Sequence, residues 1–120
     1  MSNGIELGQI AASAAVDKKA SKIILLDVRG LTDMCDVSLV CSADNERQAM
    51  AISEAVDERC RKVAGVKPLA VEGRQVGNWI LMDYGSLVVH IFLAAVRDYY
   101  AFDNLWPKAK NLNVATDIKS

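Results

Sequence analysis

The sequence predicts a single α/β domain, a mixed β-sheet of about five strands with flanking helices. Three features predict it. Two apolar blocks, 23–26 and 37–41, precede a stretch from 44 to 65 whose apolar residues recur every three or four positions. Two further apolar runs, 78–83 and 86–93, then follow with only Tyr84 and Gly85 between them. Short apolar runs bounded by turn residues read as buried strands, and a spacing near 3.6 reads as a helix with one buried face. A strand–helix–strand connection permits parallel neighbours and a hairpin adds an antiparallel pair, so the sheet is mixed.

The elements follow in order. Over 5–20, Ile5, Ile10, Ala11, Ala14 and Ala15 fall at near-helical spacing, with Lys18, Lys19 and Lys22 toward the C-terminal end, where cations suit the helix dipole. The two strands come next. Asp44 is the expected N-cap of the second helix, whose face carries Ala49, Ile52, Val56, Cys60 and Val63 up to Gly65, the expected residue beyond its end. Residues 68–72 read as a short strand and 73–77 as a turn into the hairpin. After the hairpin, Ala95, Tyr99, Phe102 and Trp106 repeat at helical intervals until Pro107 stops the pattern. The expected organisation is one domain over 1–106 and a C-terminal tail over 107–120.

Composition narrows the function classes. The chain has 120 residues, of which 52% are hydrophobic and 24% charged, enough for one domain with its own core. Fourteen Lys and Arg oppose fifteen Asp and Glu, a net charge of −1 without the basic excess that neutralises several phosphates at once. A primary grip on RNA or DNA is not expected. Cys35, Cys41 and Cys60 contain no CxxC, and His90 is the one histidine, an inventory that argues against a zinc site or a disulfide framework. A carboxylate-completed metal site stays open. No run approaches the roughly 20 apolar residues of a membrane span, so a soluble protein of a reducing, cytoplasmic compartment is expected.

The hairpin sorts residues by face. With Tyr84 and Gly85 as a two-residue loop, Trp79 lies opposite His90, Leu81 opposite Val88 and Asp83 opposite Ser86. The alternate positions Ile80, Met82, Leu87, Val89 and Ile91 are uniformly apolar, as a surface under helices should be. The Trp79 face mixes an aromatic, a carboxylate, a hydroxyl and an imidazole, a composition suited to a partly open docking surface. Trp79 itself fits either a half-buried sheet aromatic or a binding anchor, and His90 fits a packed, hydrogen-bonded strand histidine. Arg97 beside Asp98 fits a solvated helix face or an interface anchor.

Catalytic signatures are missing. Gly73 to Gly77 is only GxxxG, which is neither the dinucleotide turn nor the phosphate loop, and Gly85-Ser86 is not a nucleophile elbow. Asp44 and Glu46 are spaced for shared metal binding, but they sit where a helix N-terminus attracts acids anyway. No cofactor is expected.

The motifs of the second half go further. Glu72-Gly73, Trp79 followed by Asp83-Tyr84-Gly85, Val89-His90-Ile91-Phe92, Arg97 with Tyr99-Tyr100, and Leu105-Trp106 occur in the order seen in the ribosomal silencing factor (Iojap-like, RsfS) family, which this chain resembles from about residue 5 to 106. The resemblance implies a fold like that of nucleotidyltransferases without their catalytic residues, often as a homodimer. It also implies a non-enzymatic activity: binding a large-subunit ribosomal protein at the intersubunit face, blocking the small subunit and repressing translation under nutrient limitation. Carried over by position, the contact residues are Trp79, Asp83, Tyr84, Gly85, Arg97 and Tyr100, with Trp79 as apolar anchor, Asp83 as acceptor for basic side chains and His90 orienting Trp79. The chain departs from the family pattern at Val37, Ser38, Ala43 and Asp103. A catalytic nucleotidyltransferase-like protein is the alternative, and a general RNA-binding module a third.

Overall fold

A computed structural model describes residues 4–100, 108–112 and 114 of the chain, without the side chains of Tyr99 and Tyr100. In chain order these form α1 (Gly4–Asp17), β1 (Ser21–Asp27), β2 (Val37–Ala43), α2 (Glu46–Arg59) with a π-helical turn (Cys60–Ala64), β3 (Ala70–Glu72), β4 (Trp79–Asp83), β5 (Leu87–Leu93), α3 (Ala94–Tyr100) and β6 (Lys110–Leu112). The strands make one mixed sheet in the order β3-β4-β5-β2-β1-β6, in which only β2 and β5 run parallel.

The central strands explain their own position. VSLVCSA and LVVHIFL have apolar residues on both faces, and β2 is buried throughout while β5 is buried up to Leu93. A strand that sheds water from both sides belongs in the middle of a covered sheet. On one face Leu25, Leu39, Cys41, Ile80, Met82, Leu87, Val89 and Ile91 meet the apolar stripes of α1 and α2, Leu7, Ala11, Ala15, Ile52 and Val56 among them, in the main core.

Local chemistry fixes the helix ends. The N-cap of α2 is Asn45 rather than Asp44: its Oδ1 accepts from the Gln48 amide at 2.8 Å. The expected cap was one residue early because both residues are good N-caps and the sequence does not separate them. The Gln48 carboxamide then stitches two elements together, accepting from the Asp44 amide and donating to the Lys18 and Lys19 carbonyls where α1 turns into β1. Gly65 closes the π-helical turn in the left-handed conformation, as expected of a residue beyond a helix end.

Two expectations change. The segment after Pro107 does not simply trail as a tail: Lys110–Leu112 pairs with Leu25, Leu26 and Asp27 and adds an edge strand to the sheet. Three mixed-polarity residues carry no strand period, so nothing local announces them. Of the third helix, Ala94–Tyr100 is as expected, and its continuation through Phe102 to Trp106 lies outside the described residues.

Leu39 is fully buried in the main core, whereas Leu69 is 75% exposed before β3. Leu39→Ala is expected to lower the unfolding free energy in urea by about 3 kcal/mol, and Leu69→Ala by less than about 0.5 kcal/mol.

Candidate functional site

The opposite face of the sheet holds the candidate site, and it is built in rows. Trp79 lies across from Phe92 and then Ser42; Glu72, Leu81, His90, Val40 and Ile24 form the next row; Ala70, Asp83, Val88, Ser38 and Leu26 form the third. Along each row exposure falls from the β3–β4 edge inward. Glu72 is exposed, Trp79, Leu81 and Asp83 are half-buried, and Phe92, His90, Val88 and Ser42 are buried. An aromatic and aliphatic strip beside carboxylates therefore stays open at one margin of an otherwise closed face.

The hairpin register differs from expectation by two residues. The loop is Gly85-Ser86, closed by the Tyr84 amide donating to the Leu87 carbonyl at 2.8 Å, so Trp79 pairs with Phe92 and Leu81 with His90. Asp83 pairs with Val88 rather than Ser86. A shift of two leaves every residue on its predicted face, because side chains alternate with period two. The loop moved because Asp83 organises it: its Oδ1 accepts from the Gly85 amide at 2.8 Å, and Gly85 takes a φ of 85°, a region that disfavours side chains.

Trp79 is held on two sides. Its ring stacks on Phe92 with centroids 4.8 Å apart and planes at 29°, and its Nε1–H donates to His90 Nδ1 at 3.3 Å. His90 thus orients the indole along a diagonal rather than from directly opposite. Because Nδ1 accepts, the imidazole carries its proton on Nε2 and is neutral. Burial pushes its pKa down to about 4 from the ordinary 6.5. His90 is accordingly a packed, hydrogen-bonded core residue and not part of an open surface.

Gly73 packs tightly against the backbone of Trp79. A Cβ there would stand 2.0 Å from the Trp79 carbonyl oxygen, and its φ is 88°, so only glycine lets the chain pass this close to the start of β4. The next residue, Arg74, anchors the loop to α2 by donating from Nε to Ser53 Oγ at 3.0 Å. Glu72, Gly73, Trp79 and Leu81 enclose a groove of about 250 Å³. Sequence reasoning places Glu72 at a strand end with no role of its own; its place depends on the β3–β4 pairing, which no local pattern encodes.

Two carried-over contact residues turn inward. Tyr84 is 7% exposed and belongs to the main core, where its hydroxyl faces the Cys60 thiol and makes no geometrically sound hydrogen bond among the described residues. Burial, reinforced by Cys60, holds that hydroxyl well above the ordinary tyrosine range. Arg97 is 3% exposed: one terminal nitrogen donates to the Lys22 carbonyl at 2.6 Å and to Ser42 Oγ at 2.8 Å, clamping α3 against β1 and β2. Neither a solvated helix face nor an interface anchor describes it. Tyr100 lies on α3, but its side chain is outside the described residues. Asp83 and Gly85 meet at the hairpin loop, whereas Trp79 lies on the same face at the far end of β4.

The thiols are not poised for chemistry. Burial pushes Cys41 up to about 12 and Cys60 up to about 11, which disfavours the thiolate that a nucleophile or metal ligand needs. Among the described residues no three His, Cys, Asp or Glu side chains gather to hold a metal ion, and no described helix is long and apolar enough to cross a membrane.

The buried neutral imidazole makes stability depend on pH. Unfolded, His90 takes up a proton below about pH 6.5; folded, it resists until about pH 4, so its contribution is complete above pH 6.5 and is lost as pH falls toward 4. Urea denaturation is expected to show a loss of about 1.5 kcal/mol from this group between pH 6.5 and 5. His90→Asn, which keeps an acceptor near the indole, should flatten that dependence; an unchanged slope would refute the assignment.

Comparison with known proteins places the chain among relatives. Residues 2–120 match the family described as "Ribosomal silencing factor during starvation". The ribosomal silencing factor RsfS of Chromobacterium violaceum is 39% identical over 101 residues, covering 84% of this chain and 82% of that protein. A crystal structure of a protein from the same organism superposes with a TM-score of 0.84 at 33% identity, covering 98% of this chain and 95% of the other. A shorter match, 35% identical over 48 residues and covering 40% of this chain and 20% of the other, is to the mouse protein named "Mitochondrial assembly of ribosomal large subunit protein 1".

Proposed function

The chain belongs to the ribosomal silencing factor family, and we propose that it silences ribosomes by obstruction, docking the open margin of its sheet on a large-subunit ribosomal protein at the intersubunit face and so keeping the small subunit from joining. A ribosome-associated silencing role follows from the family. The site supports the finer mechanism chiefly through one observation: Trp79 is fixed by a stacked ring and a hydrogen bond yet remains only half-buried, beside Leu81 and on the diagonal to Glu72. A rigid, partly exposed indole with aliphatic and charged neighbours is what a protein–protein hot spot is made of, because little conformational entropy is lost when it is covered.

Charge supports a proteinaceous landing site. A net charge of −1 gives no general attraction to phosphate, so complementarity of shape and of a few side chains must supply the affinity. Obstruction needs no turnover. Under this proposal the factor acts in the cytoplasm without cofactor or catalysis, lowers translation when nutrients are limiting, and pairs with a second copy of itself.

Trp79→Ala is expected to weaken binding to purified large subunits by about 2 kcal/mol, roughly thirtyfold, with circular dichroism confirming that the fold persists. In gradient sedimentation the wild-type chain should deplete assembled ribosomes at concentrations where the variant does not. Intact subunit joining at saturating wild-type protein would refute the proposal.

A further inference from the structure

The groove beside Trp79 has a composition of its own. It is lined by an indole residue, Trp79, an aliphatic one, Leu81, a glycine, Gly73, and a carboxylate, Glu72. Pairing fixes this placement: Glu72 lies directly across from Leu81, on the diagonals to Trp79 and Asp83, all on one face. No described basic side chain pairs with Glu72, and the nearest in sequence, Arg74, donates its Nε away from the groove to Ser53 on α2. The result is a flat aromatic wall beside a carboxylate that has its acceptor oxygens to offer.

We propose that this groove receives an arginine side chain of the protein partner, its guanidinium lying along the Trp79 ring and forking onto the Glu72 carboxylate. A guanidinium is planar, weakly hydrated and presents paired donors, so it can satisfy an aromatic wall and a carboxylate together; an ammonium matches neither geometry as well. Asp83, whose Oδ1 is already engaged with the Gly85 amide, adds negative potential to the same margin. Gly73 is then a fitting requirement, since any side chain there would collide with the Trp79 backbone that the groove is built on. The identity of the macromolecule that brings the arginine rests on the ribosomal reading above; the chemistry of the groove does not.

Two measurements separate these. In the first, isotope-labelled chain is titrated at low salt with N-acetylarginine amide and with its uncharged citrulline counterpart, following the Trp79 indole N–H and the Gly73 amide by NMR. Saturable shifts with the arginine compound alone are expected, weakened about tenfold in Glu72→Gln, an exposed-strand substitution that leaves the fold intact. Equal shifts with citrulline amide, or shifts indifferent to Glu72→Gln, would overturn the proposal. In the second, wild-type and Glu72→Gln chains are compared on purified large subunits, with about a tenfold loss expected for the variant and a larger one for Glu72→Lys. Equal binding of all three would detach the groove from the partner and overturn the assignment. A wild-type chain that passes the titration but ignores large subunits would sink the ribosomal reading and leave the arginine site standing.

Discussion

The pairing of β4 on β5 decides what this sheet shows to the outside, and a single carboxylate helps to hold it. Asp83 accepts from the Gly85 amide, Gly85 supplies a backbone conformation closed to most residues, and the Tyr84 amide meets the Leu87 carbonyl. With the loop fixed at Gly85-Ser86, Trp79 falls on Phe92 and the alternate residues Ile80 and Met82 fall under the helices. A slip by one residue would reverse that assignment, burying the indole among alanines and presenting isoleucine and methionine to water. The cost of that exchange is what specifies the register.

From this pairing the outer face acquires its gradient. Burial on both sides of the two central strands makes an unmatched polar group costly, and although Ser38 Oγ in β2 has no hydrogen-bond partner among the described residues, other polar groups are met by side chains that look functional in isolation. His90 accepts from the Trp79 indole and stays neutral; Arg97 answers Ser42 Oγ and the Lys22 carbonyl. Both stabilise by supplying hydrogen-bond partners to groups held partly or, for Ser42 Oγ, fully away from water. Toward β3 the covering ends, and the same row that holds a buried imidazole ends in an exposed Glu72. One face is thus packed at its centre and open at its margin.

Period and composition made much of this legible. The alternation in 79–83 and 87–93 assigned every hairpin residue to its correct face even with the loop misplaced, because an even shift preserves parity. The spacing of Ala49, Ile52, Val56 and Cys60 found α2, and Gly65 marked its end. What stayed hidden was tertiary. A charged residue next to another charged residue on a helix reads as solvated, and only the position of Ser42 and the Lys22 carbonyl reveals that Arg97 is a clamp. Tyr84 beside a turn reads as accessible until α2 and the π-helical turn supply Cys60 against it. Gly73 reads as a generic turn glycine, although the backbone of Trp79 passing beneath it is what excludes a side chain.

The family gives the chain a ribosome-associated silencing role, and the proposed contact lies at the sheet's open margin, with its fixed indole, its leucine and its two carboxylates. The most direct test is a single-particle reconstruction of the chain bound to large subunits. The account predicts that the β3–β4 margin, with Trp79 and Glu72, lies against a ribosomal protein at the intersubunit face while α1 and α2 face solvent. A complex in which α1 and α2 meet the ribosome and Trp79 remains uncovered would contradict it.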